Sequence, residues 1–367
     1  MLDATIERIR AAHANSTPLI IQGGGSKTFY GNADEGEVLS TRVLTGVVDY
    51  QPKELVLTAR AGTPLAEIEA LLAEQNQMLA FEPPHFGGAA TLGGCIAAGL
   101  SGPRRPYAGA ARDFVLGVRL IDGTGQPLRF GGQVIKNVAG YDVSRLMVGA
   151  LGTLGLITEV SLKVLPKPAA ETTLQYELDE AAALLKMNQW AGQPLPLSAT
   201  SWHAGLLTLR LSGAASAVHA AQAKLGGEAL KDAAAFWQRL RDQATPFFDK
   251  RPLWRLAVKS TTPPLQRGDA QWIEWGGAVR WLASDLPAAT LREAAKTAGG
   301  HATLFRGNAP SPQPSPRPGE GAKVVPKAIS DGAFAPLAPA LATLHRNLKQ
   351  RFDPEGIFNR GRLYPDF

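Results

Sequence analysis

The chain has 367 residues, of which 45% are hydrophobic and 19% are charged, so it can build a sizeable core and is not intrinsically disordered. At roughly 100–200 residues per domain, this length predicts two or three domains. The net charge of +6 suits an anionic ligand, but no basic run with interleaved aromatic residues points to nucleic acid.

The single cysteine, Cys95, excludes an intrachain disulfide, and it excludes an iron–sulfur cluster held by this chain alone, because such clusters need about four ligands. The first residues lack the basic and apolar regions of a secretory signal. The sequence contains no run of about 18 apolar residues, so it predicts no helix that spans a membrane. We therefore expect a cytoplasmic protein without a transmembrane segment.

Apolar spacing in the first half predicts helices that alternate with short strands. Residues 2–14 form a predicted helix, and residues 19–21 form a strand that runs into a glycine-rich stretch. The pattern also predicts strands at 54–60 and 156–164, a helix with Thr63 as N-cap and Pro64 at its first position, a hairpin over 114–130, and a short helix capped by Asp142 with Val143, Leu146 and Met147 inward.

Pro166 and Pro168 mark a predicted domain boundary, and the residues beyond it predict an α+β unit with helices on one side of an antiparallel sheet. Its predicted elements are strands at 172–178, 253–259, 272–282 (bent at Gly276 and Gly277) and 301–306, a hairpin at 200–211, and helices at 179–191, 214–225, 236–240 and 290–298. Five tryptophans on these strands are expected in the core; the alternative is an exposed patch that docks a partner subunit. They are Trp202, Trp254, Trp272, Trp275 and Trp281.

The region after residue 308 has a different composition. Residues 309–321 are rich in proline and serine, which predicts a flexible surface excursion because such a sequence builds no core. A helix is predicted near 337–351, followed by a tail of sequence FDPEGIFN.

The first glycine cluster, Gln22–Lys27, follows the first strand. Glycine allows positive φ and close approach, and successive amides can form a cradle for phosphate. An ATP-binding P-loop is excluded, because that motif requires glycine directly before its lysine and Ser26 precedes Lys27 here. A glycine-rich turn without a ligand is the alternative.

Two further glycine clusters favour the ligand. Thr91–Gly94 predicts a helix start stripped of side chains, where free N–H groups and the helix dipole suit a diphosphate; tight helix packing is the alternative. Residues 152–155 form a third cluster just before the alternating strand. Three glycine clusters in one region are harder to explain as turns without a ligand than a single cluster would be.

Taken in order, these motifs resemble the FAD-binding domain of the vanillyl-alcohol oxidase family, also called the p-cresol methylhydroxylase (PCMH) type. The resemblance is carried by IQGGGSKT, LTARAGTPLAEIEALL, FEPP, TLGGCIAAGLSGPRRPYAGAARDFV, KNVAGYDVSRL, GTLGLITEVSLKVLP and DPEGIFNRGR. It implies an α+β fold: a two-subdomain PCMH-type FAD-binding domain at 1–166 and a small α/β cap-like domain with an antiparallel sheet at 167–308. A Pro-rich flexible insertion at 309–325 and a C-terminal helix and tail at 326–367 that return to the flavin complete the expected organisation.

The resemblance implies that the first glycine loop holds the FAD pyrophosphate and that the helix start contacts pyrophosphate and ribose. A serine–glycine pair would lie along the flavin, one strand residue would bond the adenine through its backbone, and a residue of the tail would lie near the isoalloxazine ring. The implied cofactor-binding residues, in that order, are Gln22, Gly23, Gly24, Gly25, Ser26 and Lys27, then Thr91, Gly93 and Gly94, then Ser101 and Gly102, then Ile157, then Asn359.

Departures from the family pattern shape the remaining expectations. The first loop carries Ser26 and Lys27 where covalent flavoproteins of this type often carry His, so we expect noncovalent FAD; Cys95 is expected to be buried rather than an attachment point. No metal site is expected, because no two histidines have metal-ligand spacing. The catalytic residue is not identified, and His85 is the one candidate base because it falls in the flavin-proximal region.

Within the family, the chain is similar to the short, FAD-binding subunits of bacterial glycolate oxidases. That similarity implies a small 2-hydroxy acid, glycolate, as substrate, a catalytic flavoprotein subunit and an iron–sulfur subunit as partners, and a position in the cytoplasm or peripheral to the inner membrane face. Arg104 and Arg105 are expected to face a carboxylate or the FAD phosphates, or to be a solvated pair. The alternatives are a noncatalytic flavin-binding or assembly subunit, and a stand-alone FAD-dependent alcohol or 2-hydroxy-acid oxidase.

Overall fold

A computed structural model describes residues 2–33, 35–132, 142–265, 270–307 and 332–366. The described strands are β1 (Leu19–Gln22), β2 (Glu37–Ser40), β3 (Val47–Gln51), β4 (Val56–Arg60), β5 (Gln77–Met78), β6 (Val115–Ile121), β7 (Pro127–Gly131), β8 (Leu156–Lys163), β9 (Leu165–Pro166), β10 (Ala170–Glu177), β11 (Leu197–His203), β12 (Leu206–Gly213), β13 (Glu228–Ala229), β14 (Leu253–Ala257), β15 (Ala270–Glu274), β16 (Val279–Ala283) and β17 (His301–Arg306). The helices are α1 (Leu2–Ala14), α2 (Leu65–Glu74), α3 (Leu92–Ala98), α4 (Arg105–Ala108), α5 (Ala111–Phe114), α6 (Glu180–Ala191), α7 (Ala215–Leu225), α8 (Ala233–Arg241), α9 (Ala288–Thr297) and α10 (Pro339–Phe352).

A five-stranded antiparallel sheet of order β3-β4-β8-β6-β7 forms the centre of the first half. Its core combines the sheet with the apolar stripes of α2 and α3, as the spacing of Leu65, Ile68 and Leu72 predicts. This core fixes where α3 begins, and therefore where the glycine-rich stretch before it lies.

A smaller unit joins the two ends of the chain. Strands β1 and β2 pair in parallel, and Leu19 also bridges to Phe358 in the C-terminal tail. Ile9 of α1, Leu19 and Phe358 share one buried cluster. The tail is therefore anchored beside the strand that leads into the first glycine loop.

The second half forms an eight-stranded sheet of order β13-β10-β12-β11-β15-β16-β14-β17, with antiparallel pairing throughout the described strands. Two clusters pack α6, α7 and α9 on one face. The opposite face carries an aromatic cluster that includes Tyr30 and Leu100 from the first half. The antiparallel sheet with helices on one side confirms the expected fold class, and the buried positions of the five tryptophans confirm their place in the core.

Three local expectations are wrong. Pro64 rather than Thr63 is the N-cap of α2, because the Thr63 hydroxyl accepts the N–H of Gly46. The predicted strand 272–282 is the hairpin β15–β16, since Gly276 and Gly277 both take positive φ and reverse the chain. Leu146, expected inward, is 43% exposed.

Other expectations fall partly outside the described residues. The insertion expected at 309–325 and residues 136–141 of the KNVAGYDVSRL motif lie there. The domain boundaries at 166 and 308 stay predictions.

Candidate functional site

The loop after β1 offers a row of backbone donors. In the part of the chain that the structure describes, the N–H groups of Gly24, Gly25, Ser26 and Lys27 have no acceptor, although all four residues are only partly exposed. Half-buried amides without partners are costly unless a ligand or water satisfies them. The loop therefore fits an anion such as a diphosphate.

A second segment lies directly against this loop. A Cβ added to Gly24 would overlap the carbonyl of Ala89, and one added to Gly23 would overlap the hydroxyl of Thr91. The absence of side chains at both glycines lets two backbones pack against each other. The first loop and the start of α3, predicted as parts of one site, are thus brought together.

The start of α3 is less open than its sequence suggests. Thr91 is the N-cap, and its hydroxyl accepts the N–H of Gly94. The N–H of Leu92 donates to Thr63 and that of Gly93 donates to Ala61. The N–H groups of Leu92 and Gly93 are therefore committed within the protein, and the cofactor contacts expected of Thr91, Gly93 and Gly94 stay predictions.

Ser101 and Gly102 line a cleft between the glycine-rich half and the eight-stranded sheet. The Ser101 hydroxyl accepts the N–H of Ala111, and the Gly102 carbonyl accepts the Trp275 indole N–H at 3.1 Å. This indole bond joins the two halves at the wall of the cleft.

Two predicted residues lie away from the cleft. Ile157 is 6% exposed, belongs to the five-stranded core and pairs with Leu120 in the sheet, and its expected backbone contact with adenine stays a prediction. The side chain of Asn359 accepts the N–H of Ile21 and donates to the carbonyl of Leu151. Asn359 therefore fastens the tail to β1, and its expected position near a flavin ring stays a prediction.

Lys27 lies beside the candidate base His85. Its ammonium group donates to the Ser26 hydroxyl and the His85 carbonyl at 3.3 and 3.4 Å, and burial lowers its pKa. The Nε2 atom of His85 lies 3.2 Å from Oε2 of Glu69 but is not aligned as a hydrogen bond. Because His85 does not line the cleft, the structure gives it no contact with the space beside Ser101.

The cleft is lined by two residues with ionisable side chains, Arg255 and Glu274, that sequence reasoning missed. Arg255 on β14 is opposite Trp281 on β16, which is opposite Trp272 on β15. Glu274 lies two residues after Trp272 and so points to the same face. The only signal in the sequence is a charged residue at an inward position of each apolar strand.

The two charges have different surroundings. The Arg255 guanidinium lies 5.0 Å from the Trp275 ring centroid and 5.8 Å from that of Trp281, and burial lowers its pKa. Oε1 of Glu274 accepts the Trp281 indole N–H at 2.7 Å. Burial raises the pKa of Glu274 to about 7, although the Trp281 N–H and the Arg255 charge oppose the shift.

Glu274 makes stability depend on pH. Its pKa rises from an ordinary 4.5 to about 7 on folding, with Arg255 and Glu82 as the facing charges. The folded state therefore binds more protons between these values, and the free energy of unfolding falls as pH rises through the window. Glu274→Gln should remove this loss, which totals about 3 kcal/mol. Urea unfolding should show the variant gaining over the parent between pH 5 and pH 8; parallel pH profiles would contradict this.

A buried ion-pair network joins the two halves beside the cleft. Glu82, after β5, lies 2.8 Å from Arg210 on β12 and 3.3 Å from Arg104, and Arg104 lies 2.8 Å from Glu171 on β10. Arg104 is therefore neither solvated nor free for a phosphate. Arg105 instead lies 4.5 Å from the Trp275 ring centroid.

Cys95 is buried within α3. Burial raises the pKa of its thiol to about 12, so the nucleophilic thiolate is scarce at neutral pH.

Among the described residues, no three His, Cys, Asp or Glu side chains come together as a metal-binding group. None of the described helices is long and apolar enough to cross a bilayer.

Comparison with known proteins decides the family. The glycolate oxidase subunit GlcE of Escherichia coli is 46% identical over 364 residues, covering 99% of this chain and 97% of that protein. The chain belongs to the GlcE family of glycolate oxidase subunits. Residues 2–131 match the model of an FAD binding domain, and these findings confirm the predicted family and FAD as cofactor.

More distant relatives match part of the chain. The glycolate oxidase subunit GlcD of Bacillus subtilis is 33% identical over 45% of this chain and 36% of its own length. A D-lactate dehydrogenase of Archaeoglobus fulgidus is 33% identical over 45% of this chain and 37% of its own length. A solved alkyldihydroxyacetonephosphate synthase has the same fold, with a TM-score of 0.60 at 17% identity over 97% of this chain and 74% of that one.

Proposed function

We propose that this GlcE-family chain is the FAD-binding subunit of a multi-subunit glycolate oxidase or dehydrogenase. Oxidation of glycolate to glyoxylate removes two electrons and two protons, and we propose that the electrons pass to an iron–sulfur partner. The observation that carries the proposal is the similarity over 99% of the chain to a glycolate oxidase subunit. The half-buried loop of unpaired amides supports it, because such a loop fits the FAD diphosphate.

The proposed cofactor contacts follow from the loop geometry. Gln22–Lys27 would hold the diphosphate with backbone N–H groups and the Lys27 ammonium, while Ser101 and Gly102 would border the flavin. When bound, FAD supplies a hydride acceptor for the carbon that carries the substrate hydroxyl. We propose noncovalent binding, supported by the buried position and the raised pKa of the Cys95 thiol.

We propose two partner subunits. One is a longer catalytic flavoprotein subunit, and the other is an iron–sulfur subunit that takes electrons from the flavin; the single cysteine of this chain cannot hold such a cluster by itself. We propose that the assembly works in the cytoplasm or at the inner membrane face.

The test is the visible absorption spectrum of the purified chain, recorded without oxygen before and after glycolate, with acetate as control. Flavin bands are expected, and acid precipitation should release all the flavin into the supernatant. Bleaching by glycolate alone would show that this chain's own flavin oxidises substrate; bands that persist until the partners are added would indicate an electron-relay or assembly subunit. A chain that holds no flavin, alone or co-purified with its partners, would overturn the proposal.

A further inference from the structure

Arg255 is a partly exposed cation that lines the cleft and has no direct ion-pair partner among the described residues. Across the described ranges of the chain its guanidinium makes no ion pair and no hydrogen bond, and only aromatic rings lie over it. Arg241, which also lines the cleft, differs because it is paired with Glu69 and Asp242. A guanidinium that lines a cleft and has no carboxylate bonded to it can pair with an anion that enters the cleft, so Arg255 is placed to meet such an anion.

Glu274 offers an acceptor in the same cleft. One of its oxygens accepts the Trp281 N–H, and this bond orients the carboxyl group. Its Oε2 atom has no hydrogen-bond partner among the described residues and is not fully enclosed. Glu274 and Arg255 also form no direct ion pair, which leaves each free to contact a ligand.

The lining residues indicate the chemistry of that ligand. Trp275, Trp281 and Phe305 line the cleft beside Arg255 and Glu274, together with Ser101 and Gly102 from the first half. A small molecule with one carboxylate and a hydroxyl beside it would satisfy both groups, because the guanidinium pairs with carboxylates and a carboxylate accepts from a hydroxyl.

We propose that this cleft binds the small 2-hydroxy acid, with Arg255 pairing with its carboxylate and Glu274 accepting a hydrogen bond from its hydroxyl group. The inference rests on the proposed function for the identity of the substrate. It places a substrate subsite on the eight-stranded sheet of this chain, facing the residues expected to border the flavin.

The experiment is calorimetric titration of the full chain, reduced with dithionite so that substrate cannot be oxidised. Glycolate and acetate are compared, since acetate lacks only the hydroxyl. The parent should bind glycolate about tenfold tighter than acetate. Arg255→Met should weaken both ligands about thirtyfold, and Glu274→Gln should reduce glycolate affinity to the acetate level while leaving acetate affinity unchanged.

Lys250→Met is the control, because Lys250 also lies over an aromatic ring of the second half, that of Phe247, but neither residue lines the cleft; it should leave both affinities unchanged. The proposal is overturned if the parent binds neither ligand, if it binds both equally, or if Arg255→Met binds as the parent does while its circular dichroism is native. Failure of the titration in a chain that carries FAD and supports glycolate oxidation in the assembled complex would overturn the subsite alone. A chain without FAD would overturn the proposed function, and the same titration would still decide the subsite.

Discussion

Gly24→Ala is expected to reduce the bound FAD to less than about one tenth of the parent ratio. The new Cβ would overlap the carbonyl of Ala89, which belongs to backbone and cannot rotate away, so the loop and the segment before α3 must separate. Overpacking of this kind costs about 1–3 kcal/mol or more. The separation also moves the amides of Gly25, Ser26 and Lys27 away from the positions that we propose for diphosphate binding. The ratio of flavin to protein absorbance measures the effect, and urea unfolding measures the stability.

Gly88→Ala is the control for this substitution. Gly88 lies next to Ala89 in the segment before α3, yet a Cβ there meets nothing within 4 Å, so FAD content and stability should match the parent. Far-UV circular dichroism separates a folded Gly24→Ala protein without cofactor from one that fails to fold. Full FAD content in Gly24→Ala at parental stability would show that the contact with Ala89 is not needed for the site.

Local patterns were enough to predict much of the fold. The apolar spacing of α2 reflects a single helix lying on one core, so its residues alone reveal it. The alternation predicted for β8 is wrong in part, because Ile157 and Ser161 on its second face are buried as well. The hairpin β15–β16 was missed because tryptophans on both sides of Gly276 continue one apolar run. Only the positive φ of Gly276 and Gly277 turns that run back on itself.

The cleft could not be predicted in the same way. Arg255 and Glu274 are brought together by the register of β14, β16 and β15, and a shift of one residue would turn either side chain to the helix-covered face. Pairing across strands is not visible in one sequence. The motif residues could be predicted because the resemblance lies in short continuous segments of sequence. The hydrogen bonds of the Leu92 and Gly93 N–H groups could not, because their acceptors are carbonyls of residues about 30 positions earlier in the chain.

Glu82→Ala is expected to lower the free energy of unfolding by about 3–5 kcal/mol, because removing one member of a buried ion pair leaves its partner uncompensated. Arg210 is 3% exposed, and its other carboxylate, that of Glu171, is 3.9 Å away. The substitution also removes an attachment between the two halves, since Glu82 contacts Arg104 in one and Arg210 in the other.

The decrease in the free energy of unfolding should therefore be larger than removal of the charge alone would cause. If the halves then unfold separately, the urea transition of Glu82→Ala should broaden, with a smaller dependence on denaturant than in the parent. Asp366→Ala is the control: it breaks the Arg346–Asp366 pair, whose side chains are 51% and 59% exposed, and should cost less than about 1 kcal/mol. Equal losses in the two variants would mean that the Glu82 network contributes no more than a surface pair, and that the aromatic cluster and the Trp275–Gly102 bond hold the halves together.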